Sequence, residues 1–170
     1  MTEKIKNWPG VDLSNADIKE GKVFTTSWNP NIKYAWDTGI AYGRFLSELK
    51  EGKIIGVKCN KCERIIVPPR LFCEQCFKET DEWVYLKDTG TVQTYSVAYT
   101  DWKATRITEP NIPSVIEIDG ASKLMGILHL LGEVDPKDVK IGMRVKAVWK
   151  PAEEREGAIT DIKYFKPMEG

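Results

Sequence analysis

The chain is poor in the groups that most enzymes use for catalysis. It holds one histidine, His129, set between leucines in a predicted strand, where a structural place fits better than a catalytic one. Cysteine does not occur outside residues 59–76. No thiol is therefore left for an acyl-thioester intermediate once those four are committed to a metal. The sequence has no nucleophile elbow, no phosphate-cradling glycine loop and no helical zinc-protease motif. Carboxylates are plentiful, but sequence does not show a converging pair, so an independent enzyme is not expected. Long hydrophobic runs are missing as well. The longest, around Leu124 to Leu131, falls well short of the roughly 20 residues a spanning helix needs. The opening Met1-Thr2-Glu3-Lys4-Ile5-Lys6 has no apolar segment of the secretory kind. Paired metal-type cysteines without an export signal fit a reducing cytoplasm.

Net charge is lacking too, since 25 basic side chains balance 25 acidic ones. Its distribution is uneven. Residues 1–58 carry 9 basic and 7 acidic groups, residues 59–78 carry 4 and 2, and residues 79–170 carry 12 and 16. The largest part is thus net acidic, which argues against a phosphate backbone as partner. With 42% hydrophobic and 29% charged residues, the composition is that of a soluble globular chain, and 170 residues suffice for one full domain and a small one.

What is there is concentrated. Cys59-Asn60-Lys61-Cys62 is followed, after ten residues, by Cys73-Glu74-Gln75-Cys76. Two residues between cysteines put both sulfurs on one tight knuckle, and two knuckles make a tetrahedral all-sulfur site of the kind structural zinc prefers. The β-branched Arg64-Ile65-Ile66-Val67 carries the chain from one knuckle to the other, and Pro68-Pro69 turns it back. Iron accepts the same four-sulfur geometry, so spacing alone does not separate the two metals. Such a closed site has no open position to activate water, and its work is folding.

The chain divides into three parts: residues 1–52, an N-terminal extension and helix; 53–78, the ribbon; and 79–170, a barrel. In the first, Asn29-Pro30 reads as a helix entry, and Tyr42, Phe45, Leu46 and Leu49 make one apolar stripe that ends at Gly52. Gly39 and Gly43 are spaced for close approach of another helix, although a helix packing on its own domain is the plainer reading. Trp8, Phe24 and Trp28 show no clear period. The ribbon is entered by a strand over 53–57. The third part reads as five strands, at 91–99, 114–118, 123–130, 144–149 and 159–165, with a long first connection and a capped turn at Asp135-Pro136. The predicted class is mainly β with an N-terminal helical segment: a rubredoxin-like zinc ribbon followed by a five-stranded OB-fold barrel, with an SH3-like barrel as the competitor. Gly126 suits a sharply bent barrel strand.

Taken in order, several motifs together resemble the archaeal and bacterial zinc-ribbon/OB-fold acyl-CoA-associated proteins, over roughly residues 40–167. They are Phe45-Leu46-Ser47-Glu48-Leu49-Lys50-Glu51-Gly52, the ribbon with Pro68-Pro69-Arg70, Gly90-Thr91-Val92, Met125-Gly126 and Ile141-Gly142-Met143-Arg144-Val145. The resemblance implies a small non-catalytic companion of a thiolase-type acyl-CoA enzyme, which helps to bind a coenzyme A thioester or bridges that enzyme to the next. It implies nothing about residues 1–38.

For a ligand, the connection from Asp101 to Ile112 offers Trp102, Lys103 and Arg106, and the ribbon adds Arg70, with Lys61 and Arg64 as further positive charge. An aromatic plane stacks on a base, and Arg or Lys meets phosphates. The alternatives for these residues are solvated charges and a tryptophan packed beneath its own loop. The rival of another class is a single-stranded nucleic-acid module. It calls for a basic stripe with interleaved aromatics, and Glu153-Glu154-Arg155-Glu156 runs against that.

Overall fold

The structure is a computed structural model and describes residues 14–23, 26, 28–80 and 82–168. It contains two compact units, Met1–Trp36 and Asp37–Gly170. Trp8 and Phe24 lie outside the described residues. In the first unit, helix α1 (Asn15–Lys19) is one turn held by a capping box, with Ser14 Oγ accepting from the Asp17 amide and the Asp17 carboxylate accepting from the Ser14 amide. No regular element occupies residues 28–38, so Asn29-Pro30 is not a helix entry. The reason is visible in Asn31-Ile32-Lys33-Tyr34-Ala35-Trp36, whose apolar side chains recur every second residue rather than every three or four. Trp28, Ile32, Tyr34 and Trp36 are all exposed.

In the second unit, helix α2 begins only at Gly39, which has φ +67°, and runs Gly39–Lys50. Its end is a Schellman closure. Gly52 takes φ +73°, its amide donates to Leu49, and the next amide donates from Lys53 to Glu48. The buried face is Ala41, Phe45 and Leu49, with Leu46 half-buried, whereas Tyr42 is exposed and the expected stripe loses that member. Gly39 faces open space, and a Cβ on Gly43 would meet only the Thr38 hydroxyl, so among the described residues no second helix seats on the glycine pair. The helix is fixed instead by Arg44 over the Trp83 ring at 4.5 Å and by Tyr85 Oη donating to Glu48 at 3.0 Å.

The ribbon sheet has the order β2-β1-β5, from Ile65–Ile66, Ile54–Lys58 and Glu82–Leu86. A small hairpin of β3 (Phe72–Cys73) and β4 (Lys78–Glu79) carries the second knuckle, and the Val67–Pro68 peptide is cis. The barrel uses β6 (Thr89–Tyr95), β8 (Arg106–Ile118), β9 (Gly126–Leu131), β10 (Arg144–Trp149) and β11 (Ile162–Pro167), while β7 (Ala98–Thr100) extends one edge of β8. Neighbours run β6-β10-β11-β9-β8, and β8 returns to β6, which closes a five-stranded barrel with one parallel pair, β9 with β11. That is the OB arrangement. Within the β6–β8 ladder a bulge between Val92 and Thr94 breaks the strand's alternation: Val92 stays fully buried while Thr94 turns outward.

One core joins the parts. Phe45 and Leu49 of the helix and Ile54 and Ile55 of the ribbon pack in the same cluster as Val92, Ile116, Ile118, Val145, Ile162 and Phe165 of the barrel. Burial of each such side chain contributes about 1.5–3 kcal/mol, so the ribbon strand β1 is as much a barrel element as a metal clip. Arg144 grips Asp119 with both guanidinium nitrogens across the barrel seam, which holds the Asp119 carboxyl down at about 2.

A buried carboxylate finishes the last connection. Asp161 has no exposed surface and accepts the amides of Glu156, Gly157 and Ala158 at 2.8–3.1 Å. Burial alone would raise its pKa, but these three amides outweigh it and hold it below the ordinary value. The stability it contributes is therefore present above the unfolded carboxylate range near 3.9 and is lost as pH falls through the lower folded value. Asp161→Ala should cost about 2–3 kcal/mol at pH 7 by removing the charged acceptor of three turn amides. Thermal melts between pH 7 and pH 3 should show the gap from the wild type narrowing as the acid limit is approached; a gap independent of pH would contradict the assignment.

Candidate functional site

The four cysteine sulfurs converge. All lie within 4.8 Å of one another, and none is in a disulfide. A tetrahedron with metal–sulfur bonds of about 2.3 Å has edges of about 3.8 Å, and the Cys62–Cys73 sulfurs stand 3.6 Å apart. The residues fit a four-sulfur metal. Each knuckle closes on a left-handed residue, Glu63 at φ 58° and Phe77 at φ 52°, whose amides donate to Cys59 and Cys73 respectively. Cys59 and Cys73 are buried, Cys76 is half-buried and Cys62 is exposed. Burial pushes the Cys73 thiol up, but the amides of Cys76 and Gln75 outweigh it and hold it at about 7. The Cys76 thiol is driven to about 12 by its Cys62 neighbour and by burial, the mark of sulfurs crowded together for a cation to share.

Glu74 stitches the knuckles. It takes Arg64 at 2.7 Å and Arg70 at 3.3 Å, and Arg64 is largely covered. The Arg64 contact holds the Glu74 carboxyl below its usual range. Two cations expected to face a ligand are thus engaged within the ribbon. Lys61 stands exposed on the first knuckle, whereas Trp102, Lys103 and Arg106 share one place, the tip of the β7–β8 hairpin. The expected long loop is only 101–105, because β8 begins at Arg106. Asp101 accepts the amides of Lys103 and Thr105 and shapes that tip. Trp102 is 89% exposed, with Lys103 Nζ 4.9 Å from its ring, so it is not packed beneath the loop. Arg106 is exposed beside them, while Arg70 belongs to the ribbon.

His129 is a bridge. Its Nδ1 accepts the Leu130 amide at 2.9 Å, so Nε2 carries the proton and donates to the Ile159 carbonyl at 3.2 Å. The ring meets Phe165 edge-on at 5.8 Å, and burial lowers its pKa. Both nitrogens are occupied, which suits a neutral structural imidazole.

Two grooves were not anticipated from sequence. One, of about 530 Å³, lies where the helix end meets ribbon and barrel, and Lys53, Tyr85, Lys87 and Asp88 line it. The other, of about 510 Å³, lies on the outside of β9 beside residues 159–163. The first is assembled from turns between segments, which no motif marks. For the second the alternation of Ile127, His129 and Leu131 against Leu128 and Leu130 is apolar on both sides and names no outer face. Among the described residues no helix is long and apolar enough to cross a membrane.

Known proteins share this layout. Residues 46–82 match a family profile described as the ChsH2 rubredoxin-like zinc ribbon domain, and residues 83–150 one described as the ChsH2 C-terminal OB-fold domain. A DUF35 domain-containing scaffold protein of Methanocaldococcus jannaschii is 34% identical over 119 residues, covering 68% of this chain and 82% of the relative. A crystal structure of a DUF35-family protein of unknown function from Sulfolobus solfataricus superposes with TM-score 0.56 at 34% identity, over 65% of this chain and 79% of that one. The Ltp2–ChsH2(DUF35) aldolase structure gives TM-score 0.55 at 20% identity, over 82% and 98%, a likeness of fold.

Proposed function

This chain belongs to the DUF35 family of zinc-ribbon and OB-fold proteins, and from that membership we propose that it is a non-catalytic companion subunit of a thiolase-type acyl-CoA enzyme. The observation that carries the reading is the contrast between its chemistry and its surface. The single histidine is locked as a bridge and the cysteines are gathered on one metal site, while Trp28, Tyr34, Trp36 and Trp102 stand 72–89% exposed. Exposed aromatics of this number are what an interaction protein presents. Two relatives support it: the Methanocaldococcus protein is named a scaffold protein, and a DUF35 chain stands beside Ltp2 in an aldolase.

In this reading the metal is zinc, it is structural, and the protein works in a reducing compartment. The aromatic arm before α2 and the helix itself contact the enzyme. A coenzyme A thioester reaches the hairpin tip, its adenine on Trp102 and its phosphates on Lys103 and Arg106, with Arg70 joining only if Glu74 releases it. The rival, a single-stranded nucleic-acid module, draws on the same exposed Trp102, but the barrel around it is net acidic.

Purification of the protein from its native cells should bring a thiolase-type enzyme with it. The isolated chain should turn over no thioester. Calorimetry at physiological salt should give a weak response to acetyl-CoA and none to an oligonucleotide. Thioester turnover by the pure chain that is abolished by His129→Ala, or tight and steeply salt-dependent oligonucleotide binding, would refute the reading.

A further inference from the structure

The outer face of the β8–β9 hairpin is apolar where a solvated sheet face should be polar. Pro113 stands opposite Leu130 and Val115 opposite Leu128, two cross-strand pairs in register. Leu128 is 68% exposed and Leu130 40%, and Ile159 joins them at 37% from the turn before β11. Other outward positions of the barrel strands carry polar pairs, Arg144 with Thr91 and Lys166 with Glu133, and on the hairpin itself Glu117, which takes Gln93, bounds the apolar stretch. The patch is therefore local, not a general property of the sheet.

Its charge is equally local. The groove over this face is lined by Lys150 and Lys163 and by no carboxylate. Neither lysine forms an ion pair among the described residues. Asp161, whose charge Lys150 feels, is fully buried with its oxygens taken by three amides. A cationic rim has thus been placed around apolar residues in a part of the chain with 16 acidic and 12 basic side chains.

We propose that this face docks a partner protein presenting an apolar ridge flanked by carboxylates. The proposal rests on the companion reading and names a surface that reading does not use. Two other occupants fit less well. A small acyl ligand needs a pocket that buries roughly 70–90% of its surface, and a floor leucine that is 68% exposed does not supply one. A second copy in a two-fold contact would set Lys150 and Lys163 against the same lysines, a like-charge pairing that opposes association. An acidic partner meets both the apolar floor and the rim.

The test uses the full-length protein and the enzyme that co-purifies with it, reconstituted from the two purified components. Leu128→Ser/Leu130→Ser should weaken the complex about 30-fold or more by removing the apolar anchors. Lys150→Gln/Lys163→Glu should weaken it about tenfold and flatten its salt dependence, since rim charges act through electrostatic attraction. Glutamine at 150 avoids placing a new carboxylate near Asp161. Metal content and circular dichroism should match the wild type in both variants. If both variants bind the enzyme as tightly as the wild type, the docking face is refuted and the companion reading stands. If no complex forms with the wild type, both fall. If the wild type is a homodimer that the leucine variant dissociates, the occupant is a second copy and the proposal is wrong.

Discussion

Removal of the metal is expected to melt the knuckles and weaken the barrel without unfolding it. Cys73→Ser, or a strong chelator, takes one ligand or the ion from a site whose four sulfurs have little else to hold them together. Structural zinc contributes about 10–16 kcal/mol of apparent binding energy in small peptides, and within residues 59–80 the small cluster around the metal holds Cys59, Ile66 and Cys73, while Val67 belongs to the core shared with the barrel. The barrel is tied to the ribbon at two levels. β1 sits in the shared core through Ile54 and Ile55 and should persist. Ile65 and Ser122 exchange two hydrogen bonds, the Ile65 amide to the Ser122 hydroxyl and the Ser122 amide to the Ile65 carbonyl, both at 2.9 Å. Both bonds should go with the knuckles. At about 1 kcal/mol each, the barrel loses about 2 kcal/mol, or about 4–8 °C in melting temperature for a chain of this size. Metal analysis should find close to one zinc per wild-type chain, and hydrogen exchange should show rapid exchange over the ribbon with the strands of the barrel still protected. A metal-free protein with full stability, or a disulfide between Cys59 and Cys76, would sink the idea.

The parts of this molecule that local chemistry specifies were legible in its sequence. The metal cluster is set by a spacing of two residues repeated once, and nothing distant is needed to read it. β10 falls where its alternation places it, at Arg144–Trp149. The misreadings share a cause, which is that tertiary partners decided them. By sequence β8 reads as loop before Ser114 because Pro110 and Pro113 interrupt it. In the fold, Pro113 pairs in register with Leu130, whose amide donates to its neighbour's imidazole and so leaves the Pro113 carbonyl for another donor. The Ser96 amide then takes up the Pro113 carbonyl. The helix start was set by Gly39 rather than by Asn29-Pro30, and Tyr42 lost its place on the buried face to Ala41, whose small side chain gives no signal in an apolar count. Arg64 and Arg70 read as free cations because sequence does not reveal that Glu74 folds between them.

Substitution of Gly126 should have the second large effect. From sequence the residue suits a bent strand, whereas the structure gives a reason of packing. Its φ is not in the left-handed region, and what fixes it is space: a Cβ there would collide with the Ile116 carbonyl group, with the carbonyl carbon 2.9 Å away and the Glu117 nitrogen 3.1 Å away. The obstruction is backbone on the paired strand, so no rotamer relieves it, and β8 and β9 must separate at Glu117↔Gly126, the first pair of their ladder. Gly126→Ala should therefore cost about 3 kcal/mol and lower the melting temperature by about 6–12 °C. The same change in helix α2 has the opposite sign. Gly43 lies within α2, and a Cβ there meets only the Thr38 hydroxyl at 3.2 Å. Gly43→Ala should stabilise by about 0.5–1 kcal/mol, because the helix no longer pays glycine's entropy and a small side-chain rotation makes the room. Calorimetric melts of the two variants beside the wild type decide the matter. Equal shifts would mean that glycine's flexibility governs both sites and that the barrel seam at Gly126 is looser than its geometry implies.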